Sequence, residues 1–347
     1  MSRRALTLLL AGFLVLAFGV AGAFRPVPYV VLSPGPTENT LGELEKKPVI
    51  AISGRQTYPT SGALSLVTVA YQGGPAAQID LLTALRGWID PDVAVVPQET
   101  IFAPNRDPKE VEEENTVEMT NSQDSATAAA LNELKIPYSM VVTVVSTEKG
   151  KPADGKLLKG DEITTIDGKD AKDVDIVSST VKAHKPGEEV VFGVLRSGQK
   201  IEVPLRPIAG PKGQPQVGVL MQTKYKFPFD VDINVGDVGG PSAGLMFSLG
   251  IFDKLTPGEL TGGKKIAGTG TIEPTGEVGP IGGIQQKMIG AKKAGATVFL
   301  TPADNCGEAV QAAPDGLRLV RADTLHSAVQ ALDALRTGAG NVPACPS

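Results

Sequence analysis

The chain opens with its longest apolar run and then breaks into short apolar segments punctuated by glycine and proline. Ala5 to Phe24, ALTLLLAGFLVLAFGVAGAF, holds twenty residues without a charge, which at 1.5 Å per residue makes about 30 Å of helix, the thickness of a bilayer core. Residues 26 to 60, with SPGPTEN at 33 to 39, read as an irregular lead-in over the membrane surface. Ala63 to Ala70 is β-branched and apolar enough for a strand, and Ile79 to Trp88 has the pattern of a short helix. The charge run EVEEE at 110 to 114 reads as a solvated helix face, and Ser122 to Leu134 supplies a run of good helix formers. From 135 to 208 the pattern changes to short strands around one helix, Val174 to Ala183, and PIAGPKGQPQ at 207 to 216 reads as a linker. Beyond it lie an apolar helix from Ala243 to Phe252, a second helix from Ile284 to Ala294 and a strand from Thr297 to Leu300.

Charge and cysteine content add a direction to this pattern. Arg3 and Arg4 precede the apolar run and only Arg25 closely follows it, which favours a cytoplasmic N-terminus and export of the remainder. Ala21-Gly22-Ala23 offers the alternative of a cleaved signal peptide, although a run of twenty is long for a signal core and favours an uncleaved anchor. With 33 basic and 38 acidic residues the net charge is -5, so no basic field marks a nucleic-acid partner. An exported chain with two cysteines, Cys306 and Cys345, is a candidate for one disulfide, with two unrelated thiols as the alternative.

The chemistry centres on DVGGPSAGLMFSLGI, 237 to 251. Ser242 follows Pro241 at a helix start and reads first as a cap. Gly239 and Gly240, however, would let a ligand backbone approach, and the positive helix end points where an oxyanion would form. The two histidines, His184 and His326, sit in no motif, so lysine is the next candidate for a base. On the helix from Ile284 to Ala294, advancing about 100° per residue, Lys287 falls at about 300°, inside the apolar arc of Met288, Ala291 and Ala294. Gln285, Gln286, Lys292 and Lys293 fall on the face expected to be exposed. A lysine turned inward is costly as an ammonium, and desolvation moves it toward the neutral amine that a general base requires, whereas a snorkelling lysine is the plainer reading.

Two resemblances organise these observations. The order of elements in 135 to 208, with KGDEITTIDG at 159 to 168, resembles a bacterial PDZ domain. Such modules add an extended peptide to an open sheet edge, and the resemblance places that edge near Tyr138, Met140 and Val142. GPSAG at 240 to 244 with GPIGGIQQKMIGAKKAGATVFLTPADN at 279 to 305 resembles the proteolytic domain of the Lon Ser-Lys proteases. VDINV at 231 to 235 and DSATAAAL at 124 to 131 resemble upstream parts of the same domain. By this resemblance Ser242 is the nucleophile, Lys287 its base, Thr269 in AGTGTI a support for the lysine amine, and amides near Gly240 and Ser242 the oxyanion hole. Gly239 stands where many soluble relatives carry an aspartate.

The fold expected is α+β: a Lon-type proteolytic domain interrupted by a PDZ-like β-rich domain and preceded by one transmembrane helix. Its parts are an anchor (1–25), a first protease segment (26–134), the PDZ-like domain (135–208), a catalytic segment (209–336) and a tail (337–347). GELTGGKK at 258 to 265 misses the serine or threonine of a phosphate loop, and no HExxH or paired CxxC occurs. No cofactor or metal is therefore expected. The function expected is ATP-independent endoproteolysis of unfolded or specific proteins on the extracytoplasmic side of the cell membrane, with the PDZ module recruiting substrates or gating the site. By resemblance the assembly is a homo-oligomeric ring, a hexamer. The alternative is a non-catalytic PDZ scaffold or adaptor at the membrane.

Overall fold

The structure is a computed structural model, and it describes residues 3–74, 77–103, 107–210 and 213–346, without the side chains of residues 3, 5 and 6. Met1, Ser2 and two residues of the expected linker, 211 and 212, lie outside the described residues. Helix α1 (Arg3–Ala23) is followed by strands β1 (Tyr29–Asn39) and β2 (Ala63–Gln72), helix α2 (Leu81–Ile89), strand β3 (Ala94–Pro97) and helix α3 (Pro108–Glu133). Next come β4 (Ser139–Thr147), β5 (Glu162–Ile166), α4 (Val174–Ala183), β6 (Val190–Arg196), β7 (Gln199–Leu205) and β8 (Val219–Lys226). The last part holds α5 (Gly244–Leu255), β9 (Lys265–Gly268), α6 (Ile284–Lys293), β10 (Val298–Pro302), α7 (Cys306–Ala312), β11 (Arg318–Ala322) and α8 (Leu325–Thr337).

Two compact units result. Residues 1–136 and 229–347 form the larger one, and Pro137–Pro228 forms the other. The larger unit is built on a six-stranded mixed sheet in the order β11-β10-β9-β2-β1-β3. Its first four strands are parallel, and α6 and α7 make the crossovers between β9, β10 and β11. Buried Val67, Ala267, Ile284, Met288, Ala291 and Phe299 form the core between α6 and the sheet. SPGPTEN, expected to be irregular, lies inside β1. The pairing of β1 with β2 shifts register between Pro34 and Thr37, and this bulge accommodates a stretch whose prolines cannot donate to a regular ladder.

Helix α3 joins the two segments read separately from sequence. Asp107 caps it through the Lys109 N–H, and Pro108 occupies the first turn, where a missing N–H costs nothing. Its acidic first half is exposed, while Ala126 to Leu131 are buried. Helix α1 exposes apolar side chains along its length, from Leu8 to Val20. Among the described residues, no helix is long and apolar enough to cross a membrane, so the transmembrane assignment of residues 5–24 is not carried by the fold alone.

The smaller unit is a sheet in the order β7-β6-β5-β4-β8 with α4 beside it, around buried Val142, Ile163, Ile166, Val177, Phe192 and Leu205. Two sequence expectations change here. Ile208–Ala209 pairs antiparallel with Pro215–Gln216, so the two ends of the expected linker are strand residues, and β8 pairs along β4, so the unit runs to Pro228 instead of ending at 208. Strand β4 therefore has neighbours on both sides, and the expected peptide edge at Tyr138, Met140 and Val142 is covered. Val142 is fully buried, and the Tyr138 ring packs edge-on against Tyr225 and Phe227. The strand at the end of the sheet is β8, with a groove of about 170 Å³ beside α4 lined by Ser178, Val181, Lys182, Val219 and Met221.

Candidate active site

Ser242 stands at the end of a turn and just before α5. Gly240 adopts a positive φ of 84°, a conformation that favours glycine. The helix cap is Ala243, and its side chain makes no capping bond, so Ser242 is not the cap its position suggested. Its carbonyl accepts the Gly270 N–H at 2.9 Å and the Thr269 hydroxyl at 3.0 Å. These two bonds tie the serine turn to the end of β9.

Lys287 reaches the same point from α6. That helix starts at Gly283, whose left-handed conformation (φ 68°) turns the chain onto the sheet next to Val69. Asn305 holds the preceding turn: its Oδ1 accepts the Ile281 N–H and its Nδ2 donates to the Ile281 carbonyl, each at 2.9 Å. Lys287 is 4% exposed, and its Nζ lies 2.8 Å from Ser242 Oγ and 3.1 Å from Thr269 Oγ1. Burial pushes its ammonium down from 10.5 to about 8. Because the Thr269 hydroxyl proton is committed to the Ser242 carbonyl, its oxygen lone pair receives a proton of Nζ. In the neutral amine this leaves the nitrogen lone pair for the serine hydroxyl proton, the arrangement a general base needs.

The structure thus brings Ser242, Lys287 and Thr269 together. It does not offer Gly240 as an oxyanion donor, since the Gly240 N–H donates to the Asn115 carbonyl at 3.0 Å. Among the described residues no acceptor faces the Ser242 N–H, which remains the donor at the start of α5. Gly239 lies close to Asn115, where a Cβ would come within 3.0 Å of the Asn115 Cβ. Gln286, expected to be exposed, is buried; it lies one turn before Gly290, on the face of α6 that meets Pro34 to Thr37 of β1. His326 Nδ1 lies 2.8 Å from Glu133 and His184 Nε2 lies 3.2 Å from Asp167; neither is a partner of Ser242.

Two contributors had no signature in the sequence. Buried Ser122 on α3 donates from Oγ to the Pro241 carbonyl at 3.0 Å, and Gln123 donates from Nε2 to the Ile233 carbonyl at 3.3 Å. Helix α3 therefore holds both ends of the segment leading to the serine. The same segment borders a groove of about 950 Å³ that Gly239 helps to line, with Val69, Phe102 and Met119 and polar Asn115, Thr116 and Gln123 among its walls. Cys306, one residue after Asn305, is bonded to Cys345. Among the described residues, no group of His, Cys, Asp and Glu side chains forms a metal-binding cluster.

Comparison with known proteins matches two kinds of domain to this chain. The Lon protease (S16) C-terminal proteolytic domain matches residues 229–333, and a PDZ domain matches 115–206. The chain is 32% identical over 92 residues to Lon protease 1 of Bacillus subtilis (strain 168), covering 26% of this chain and 12% of that protein. It is 28% identical over 202 residues to Lon protease of Clostridium beijerinckii, covering 52% of this chain and 25% of that one. The chain therefore spans a quarter or less of these relatives. Among solved structures, the PDZ domain of the SdrC-like protein Lin2157 from Listeria innocua is 30% identical, covering 23% of this chain and 92% of that one, with a TM-score of 0.23.

Proposed function

We propose that this chain, which carries a Lon-type proteolytic domain and a PDZ domain, is a membrane-anchored endopeptidase that cleaves polypeptides without ATP. The observation that carries the reading is the buried Lys287 amine 2.8 Å from the Ser242 hydroxyl, with Thr269 directing it. Neutral Lys287 takes the Ser242 proton as Oγ attacks the scissile carbonyl, and the Ser242 N–H stabilises the oxyanion. The ammonium then returns the proton to the leaving amine, and water activated by the same amine releases the acyl group. The groove that Gly239 helps to line, with apolar Val69, Phe102 and Met119 beside polar Asn115, Thr116 and Gln123, is the candidate path for an extended polypeptide toward Ser242.

Placement outside the cytoplasm is supported by the disulfide, which belongs in an oxidising compartment. The exposed apolar length of α1 supports anchoring, because such a surface is unfavourable in water. For the PDZ module, the end strand β8 and α4 offer a peptide the edge that β4 cannot. The test is cleavage of an unfolded model protein by the full chain without nucleotide. Ser242→Ala and Lys287→Ala are each expected to abolish cleavage while the fold is retained; activity surviving in either variant rejects the dyad.

A further inference from the structure

Helix α2 buries one face and leaves a second, apolar one exposed. Asp80 caps its start by accepting the Thr83 N–H at 2.7 Å. Its inner face carries Ala84 and Gly87, both buried. Ala84 packs with Val31, Ile79 and Val95, and at Gly87 the backbone comes so close that a Cβ would lie 2.6 Å from Val95. The outer face carries Leu85, Trp88 and Ile89, which are 42%, 52% and 83% exposed. At about 100° per residue these three fall within one arc of about 100°, centred about 120° from the buried pair, with Trp88 at the edge nearer to Ala84. The Trp88 ring is held edge-on to Tyr29 at 5.6 Å.

This face lies where α1 ends. The Leu81 N–H donates to the Arg25 carbonyl at 2.9 Å, and Pro26–Val27 pairs with Ile79–Asp80, so α2 starts beside the exit of the apolar helix and touches it. Exposed Arg25 and Arg86 border the face. Tryptophan with aliphatic neighbours and flanking arginines, next to an apolar helix, is the composition that settles at a lipid headgroup boundary. We propose that the outer face of α2 docks on the lipid surface beside α1, giving the protease body a second membrane contact and fixing its orientation. The inference rests on α1 being a membrane anchor.

Trp88 is the one tryptophan of the chain, so its fluorescence reports this face alone. The full chain is reconstituted into phosphatidylcholine and phosphatidylglycerol vesicles, with and without lipids brominated near the headgroup end of the acyl chain. Flotation with the vesicles reads the anchor, and quenching of Trp88 reads the docking. The expected result is a floating protein whose Trp88 emission is blue-shifted and largely quenched. Leu85→Glu with Ile89→Glu, and separately Leu85→Gln with Ile89→Gln, should still float and lose most of the quenching. Flotation without quenching overturns the docked face and leaves the anchor standing, whereas failure to float overturns both. Quenching unchanged in both double variants also overturns it, since the tether alone would then hold Trp88 near lipid. Trp88 unquenched by lipid yet shielded from acrylamide assigns the face to a second copy of the chain.

Discussion

At the scale of single residues, the site depends on the protonation of one amine. Lys287 can act as a base only when neutral, and burial without a neighbouring carboxylate sets its pKa at about 8. Activity therefore rises with pH, because deprotonation creates the competent form. The neutral fraction is about one tenth at pH 7 and one half at pH 8, so kcat/KM should rise about fivefold over that unit and level off above about pH 9. A pH–rate profile checks this; a rate climbing tenfold per unit up to the ordinary lysine range would mean that the amine is solvated during turnover. Thr269 belongs to the same account, since its hydroxyl accepts from the amine while donating to the Ser242 carbonyl. Among the described residues, no acidic side chain bonds to this triangle. Gly239, where many soluble Lon proteases carry an aspartate by resemblance, fits that absence.

At the scale of elements, the alignment of nucleophile and base depends on how closely α5 seats on its neighbours. Gly244, the first residue of α5, sits where a Cβ would come within 2.6 Å of Ile272 Cγ2, 3.0 Å of Ser122 Oγ and 3.1 Å of the Ile272 backbone nitrogen. A backbone atom among those neighbours cannot rotate aside. Gly244→Ala should therefore shift the serine turn and cost about 1–3 kcal/mol, read as a lower denaturant midpoint, with a larger proportional loss in kcat than in stability-matched variants elsewhere. An unchanged midpoint and kcat would show that the start of α5 has room to move. Helix α3 presses from the same side, because Ser122 donates to Pro241 and the Asn115 carbonyl holds the Gly240 N–H. The acidic run at 110 to 114 is legible as an exposed face from charge alone, but that the same helix supports the serine turn is not. Its contacts lie 119 residues apart in the chain for Ser122 and Pro241, and no local pattern encodes them.

At the scale of the whole molecule, the C-terminal tail is part of the protease unit. The Cys306–Cys345 bond closes a separation of 39 residues, and the Arg321 N–H donates to the Pro343 carbonyl at 2.9 Å, fastening the tail along β11. Replacing both cysteines by alanine should cost about 2–4 kcal/mol through the freed loop, lowering the thermal midpoint of the larger unit, and no change would mean that the tail is held by its backbone contact. The sequence by itself determined the apolar N-terminal run, the helices around Ser242 and Lys287, and the inward angle of Lys287, because periodicity and glycine turns are local properties. Resemblance to the Lon proteolytic domain, and not local pattern, grouped the serine, lysine and threonine. Only the tertiary structure decided that β8 covers the PDZ strand expected to be open, that Pro34 to Thr37 enter a sheet through a bulge, that Gln286 is buried, and that Gly240 gives its amide to Asn115. Each depends on which distant segment packs alongside, and strand pairing and burial are set by that neighbour and not by the residue's own preference.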